Sequence, residues 1–184
     1  MPELHKDPTI ISLLAANLIT IFLAVNQNWE LASLLWVYWF QSLIIGFFMF
    51  LKLRHAKEVQ SMYSHHPMTE GSRIELTKSF ITIYVFVHLV YMQFLKVTRD
   101  FEYIVILSFL FFLNHTFSHF YYFSRPKKKE SMNKMVGLAL ARVMPMHLVI
   151  LVAYAANAKD VLIVFLLLKT VVDLIMHIIE HKDQ

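Results

Sequence analysis

The chain has 184 residues, 58% of them hydrophobic and only 16% charged, a shift in both directions from soluble domains, which sit at about 45–50% apolar and about 25% charged. It has no cysteine, which excludes a disulfide framework, a thiolate metal site and a cysteine nucleophile. The net charge of +4 falls in loops between hydrophobic stretches, so it fits membrane topology and anionic lipid headgroups rather than nucleic acid.

A membrane span needs about 20 mostly apolar residues. Six stretches approach this, at 9–26, 31–51, 79–96, 101–123, 136–157 and 161–179. The first follows Lys6 as a secretory signal would. No small-x-small cleavage site comes after it, only Asn26-Gln27-Asn28-Trp29 and a second hydrophobic stretch, so a retained helix is expected. Spans join through tight turns at Asn26–Glu30, Lys96–Asp100 and Asn157–Asp160, and through longer polar connections at 52–78 and 124–135. The expected architecture is all-α, a six-transmembrane-helix bundle built from three helical hairpins, forming one integral membrane domain over 1–184.

Basic residues crowd the long connections, with Lys52, Arg54, Lys57, Arg73 and Lys78 in one and Arg125, Lys127, Lys128, Lys129 and Lys134 in the other. The tight turns hold only Lys96, Arg99 and Lys159. Positive residues stay on the cytoplasmic side, which predicts a multi-pass cell-membrane protein with both termini in the cytoplasm. The Arg125–Lys129 run reads as a topology determinant at the headgroups. His65-His66-Pro67 before Gly71 reads as a turn with solvated histidines.

Ionisable residues inside the spans carry the functional argument. Each costs about 3 kcal/mol on insertion scales, and such groups persist where they face a protein interior, pair, or bind something. At 1.5 Å per residue, His115 and His119 of span four, Arg142 and His147 of span five, and Lys169, Asp173 and His177 of span six converge between the midplane and the cytoplasmic leaflet. Lys169, Asp173 and His177 are four apart and share one helix face; His115 and His119 share another. Pro145 is expected to interrupt backbone bonding near residue 141, close to Arg142 and His147. His88 reads as a packing residue and His181 as a solvated one.

Two readings of this cluster compete. His-x-x-x-His at 115–119 places two imidazoles toward one metal ion, Asp173 and His177 repeat the spacing, and His147 offers another nitrogen. That ligand set, His115, His119, His147, His177 and Asp173, suits zinc or another first-row divalent metal. The competing reading is an ion-pair network that locks the bundle, with Arg142 or Lys169 neutralising Asp173. Haem is a further alternative, with His115 and His147 as axial ligands. Arg142 and Lys169 against Asp173 leave one net positive charge, which suits an anionic headgroup, a phosphate or a metal with an anionic ligand.

The stretch Trp36-Val37-Tyr38-Trp39-Phe40-Gln41 with Gly46, Asn114-His115 through Phe117-Ser118, Arg142 with Pro145-Met146-His147, and Lys169, Asp173 and His177 resemble a family of small prokaryotic multi-span membrane proteins known as a domain of unknown function. The resemblance covers most of the chain. It implies a cell-membrane protein of this size, adds weight to Arg142, His147 and Asp173, and implies no activity.

Three functions follow as expectations. The first is a metal-dependent intramembrane hydrolase on a lipid or other membrane substrate, with Asp173, Arg142 and Lys169 catalytic. The second is a transporter or channel for a proton, metal or small anion. The third is a non-catalytic scaffold, with a homo-oligomer compatible with each. Gly46, Gly71 and Gly137 are the only glycines, and no paired Gly/Pro helix breaks of the kind many transporters use are present. No Gly-x-Ser-x-Gly is present, which disfavours a serine hydrolase.

Overall fold

The computed structural model describes residues 7–55, 59–60, 68–96, 98, 100–123, 130–131, 135–144, 147–148 and 161–181. The described residues are mainly helical: α1 (Pro8–Asn26), α2 (Leu31–His55), α3 (Glu70–Met92), α4 (Phe101–Phe123), α5 (Met135–Met144, helical again at 147–148) and α6 (Val161–His181). The helices α1 to α4 are each long and apolar enough to cross a membrane. The second half of the expected fifth span, the break at Pro145 and the Asn157–Asp160 turn lie outside the described residues, as do His65-His66-Pro67 and Arg125–Lys129.

Local chemistry sets the helix starts. Asp7 caps α1, accepting from the Thr9 N–H at 2.9 Å, with Pro8 in the first turn, where its missing N–H costs nothing. Thr69 caps α3 by accepting from Ser72 N–H. That cap starts α3 at Glu70 rather than at 79, well before the hydrophobic stretch begins, and the helix ends at Met92 rather than at 96. Hydrophobicity located the span, whereas the cap located the helix.

One small feature departs from a purely helical chain. Val59–Gln60 pairs in parallel with Glu130–Ser131, tying the two long connections together.

Helix α2 is central and packs on α3 and α4, while α1 packs on α4 and α6. It is accordingly buried on most sides, through Leu34, Val37, Tyr38, Trp39, Ile45 and Met49 among others. Helix α3 is peripheral and buries one narrow stripe, Thr77, Phe80, Tyr84 and His88. Contacts fix the relative directions. Trp39 and Gly46 of α2 meet His88 and Tyr84 of α3, respectively, so those helices are antiparallel. Tyr38 and Phe48 of α2 meet Phe111 and His115 of α4, so those run parallel. At the tight-turn end, the Ser33 hydroxyl donates to Asp100 Oδ2 at 2.5 Å and Trp36 Nε1 donates to the Lys96 carbonyl at 2.9 Å.

The outside of the bundle is apolar and much of its inside is not. On α6, Leu167, Leu168, Val171 and Ile175 are exposed, while Lys169, Asp173 and His177 are 2%, 2% and 4% exposed. Phe22, Phe86, Phe109 and Phe120 are exposed on the other helices. Water penalises this arrangement on both faces, and a lipid surround is compatible with it.

Candidate functional site

The buried stripe of α6 forms the centre of the site. Lys169 Nζ donates to Asp173 Oδ1, one turn along the helix, in an ion pair almost wholly removed from solvent. Gln41 Nε2 of α2 donates to the other carboxylate oxygen at 3.1 Å. The Lys169 ammonium also lies 5.4 Å from the centroid of the Tyr38 ring, within range of a cation–π attraction. Phe111 and Phe165 hold that ring in place. Arg142 of α5 is buried and within electrostatic range of Lys169. Among the described residues, a carboxylate, an ammonium and a guanidinium thus share one buried layer, with a formal surplus of positive charge.

The wall of this layer carries polar atoms available to a ligand. Tyr38 Oη and Gln41 Oε1 are buried and have no hydrogen-bond partner among the described residues. Buried polar atoms are normally satisfied, so a cluster of such atoms marks a place suited to polar contact.

The stripe continues to the end of the bundle. His177 Nε2 and Thr9 Oγ1 are 2.8 Å apart. The Thr9 hydroxyl donates to Asp7 Oδ1 at 2.7 Å, and Tyr122 Oη donates to Asp7 Oδ2. With its one proton on Asp7, the Thr9 oxygen accepts, so His177 presents an N–H at Nε2. Burial pushes the Asp7 carboxyl up, but the bonds from Tyr122 and Thr9, with His177 nearby, outweigh this and hold it below its ordinary value.

A second polar cluster lies between α2, α3 and α5. His88 Nδ1 donates to the Tyr84 carbonyl at 2.8 Å, and its Nε2 lies 2.6 Å from the Ser42 hydroxyl, which donates to the Trp39 carbonyl at 2.7 Å. His147 packs edge-on against His88, with ring centroids 5.1 Å apart, and against Tyr91 at 4.0 Å. Its Nδ1 donates to the Val143 carbonyl at 2.9 Å, and its Nε2 has no partner among the described residues.

The profile of one family, described as a family of unknown function (DUF6498), matches residues 1–184. The chain belongs to DUF6498. Neither a curated protein nor a solved structure matches it.

In this DUF6498 chain the predicted site residues are divided among three places. Lys169, Asp173, Arg142 and His177 belong to the α6 layer and its extension. His147 sits with His88. His115 and His119 lie against Phe48 of α2, at ring distances of 6.0 and 5.4 Å. Among the described residues, no three histidine, aspartate or glutamate side chains group as a metal ion would require. Tyr38, Gln41, Thr9, Asp7 and Tyr122 were not anticipated as members. Asp7-Pro8-Thr9 reads from sequence as a helix cap, and Gln41 interrupts an otherwise apolar run. Both signals identify a polar residue but not its partner.

Proposed function

We propose that this DUF6498 chain is a six-span cell-membrane protein, termini and long basic connections cytoplasmic, that binds a small anionic solute at the α6 layer and carries it across the bilayer. One observation carries the reading: Lys169, Asp173 and Arg142 are buried together beside unpartnered polar atoms of Tyr38 and Gln41. Charge held inside an apolar bundle is costly, and among the described residues the formal surplus is positive, so the favoured guest is an anion. The basic connections favour anionic lipid headgroups at the cytoplasmic face. The metal-dependent hydrolase draws less support, since its ligands divide among three places and, among the described residues, no three histidine, aspartate or glutamate side chains group as a metal ion would require.

The test is flux in liposomes reconstituted with purified protein, using chloride, phosphate and acetate in turn. Flux of one of them that Lys169→Met abolishes supports the reading. A well-folded protein that moves none and gains no thermal stability from any would refute it in favour of a structural ion-pair network. Topology is read separately. The chain has no native cysteine, so single cysteines placed at Lys127 and Asn28 should label from opposite sides of the membrane.

A further inference from the structure

The bonds at the end of the bundle have a direction. His177 Nε2–H points at the Thr9 oxygen, and Thr9 O–H points at Asp7 Oδ1. Thr9 is fully buried and His177 is 4% exposed, whereas Asp7 is half-buried. The series therefore runs from the buried stripe of α6 to a carboxylate within reach of solvent. It joins residues 168 positions apart in sequence, and Tyr122 steadies its outer end. A helix cap needs only the Asp7–Thr9 N–H bond. The ordered links from Thr9 to His177 go beyond that requirement.

We propose that His177, Thr9 and Asp7 form a proton path between the α6 layer and the solvent at the N-terminal end of α1. A proton taken up at His177 Nδ1 makes an imidazolium. Its Nε2–H bond then breaks as a new Thr9 O–H bond forms, and the original Thr9 O–H breaks as Asp7 Oδ1–H forms. His177 ends neutral with its proton on Nδ1, and Asp7 releases a proton to water. Reset requires the Thr9 hydroxyl to rotate back and the histidine proton to return to Nε2. No bond other than N–H and O–H is made or broken. The charged and titratable groups facing His177 among the described residues are Asp7 of α1 and Tyr122 of α4, with Asp173 one turn away on α6 and Lys169 one turn further. The inference deepens the transport reading by making the proton a co-transported ion, and it rests on that reading for its purpose though not for its geometry.

The experiment uses the full chain in liposomes containing pyranine, with potassium and valinomycin clamping the voltage, and follows internal pH after an external acid jump. Acidification at least tenfold faster than in empty liposomes is expected. Thr9→Val, close in shape but without the hydroxyl, should abolish the excess rate, and Thr9→Ser should restore it. If Thr9→Val fails to fold, His177→Gln serves instead, because its amide N–H can still bond Thr9 but cannot relay. Acidification no faster than in empty liposomes, or a Thr9→Val or His177→Gln protein as fast as the parent, overturns the path. Anion flux measured in the same vesicles separates the two ideas. Anion movement without proton movement defeats the path alone, and proton movement without anion movement defeats the anion reading alone.

Discussion

Gly46 of α2 and Tyr84 of α3 are packed so tightly that a β-carbon on Gly46 would overlap Tyr84 Cε1 and stand 2.9 Å from its Cδ1 and Cζ. The ring cannot easily retreat, because its hydroxyl donates to the Ser42 carbonyl at 2.5 Å. Gly46→Ala should therefore destabilise the α2–α3 contact by about 1–3 kcal/mol, the usual cost of overpacking. Gly137 of α5 has none of the described residues near its missing β-carbon, so Gly137→Ala should be neutral or gain about 0.5–1 kcal/mol from better helix formation. Thermal unfolding in detergent distinguishes the two.

Lys169 and Asp173 satisfy each other in a layer that excludes water. Removing either alone strands a buried charge, with an expected cost of about 3–5 kcal/mol, whereas replacing both with apolar residues of similar volume is often neutral or stabilising. Lys169→Met and Asp173→Leu should each lower the unfolding temperature, and the double variant should recover most of the loss. If the double variant is as unstable as the singles, the pair does more than balance charge.

The two histidines of the second cluster should differ. His88 bonds through both ring nitrogens, and His147 through only one among the described residues. His88→Phe would remove two buried bonds, to the Ser42 hydroxyl and the Tyr84 carbonyl, at about 1–3 kcal/mol, while His147→Phe keeps the aromatic packing on Tyr91 and should change stability by less than about 1 kcal/mol. Equal losses would show that His147 has a second polar role.

Asp7 sets a pH dependence of known sign. Its carboxyl titrates lower in the folded chain than in the unfolded one, so its contribution is fully present above the ordinary aspartate value of about 4 and disappears as pH falls through the lower folded value. The unfolding temperature of the parent should exceed that of Asp7→Asn at pH 7, and the gap should close below about pH 4. A gap unchanged between pH 7 and pH 3 would mean the carboxylate charge contributes nothing.

Legibility from sequence was uneven for physical reasons. Helix positions depend on local hydrophobicity and caps, so α1, α4 and α6 were predicted within a residue or two of the observed ends. The stripe Lys169–Asp173–His177 was equally readable, because a four-residue spacing fixes a helix face wherever the helix goes. The Lys169–Asp173 pair lies within one helix and was named as one of two options. His115 and His119 were readable as a pair but not as neighbours of Phe48, since facing residues depend on how one helix is rotated against another. That rotation is also why His147 meets His88, which read as simple packing, rather than His177.

The sequence alone determined the helices, their apolar character and the polar stripe on α6, because these depend on residues a few positions apart. The tertiary structure alone decided which of the remaining polar residues complete that stripe. Gln41 reaches Asp173, and Thr9 reaches His177, across 132 and 168 residues of chain. Such partners are selected by the packing of α1, α2 and α6 as whole helices, where burial leaves each polar side chain few atoms to bond. No local spacing encodes that choice.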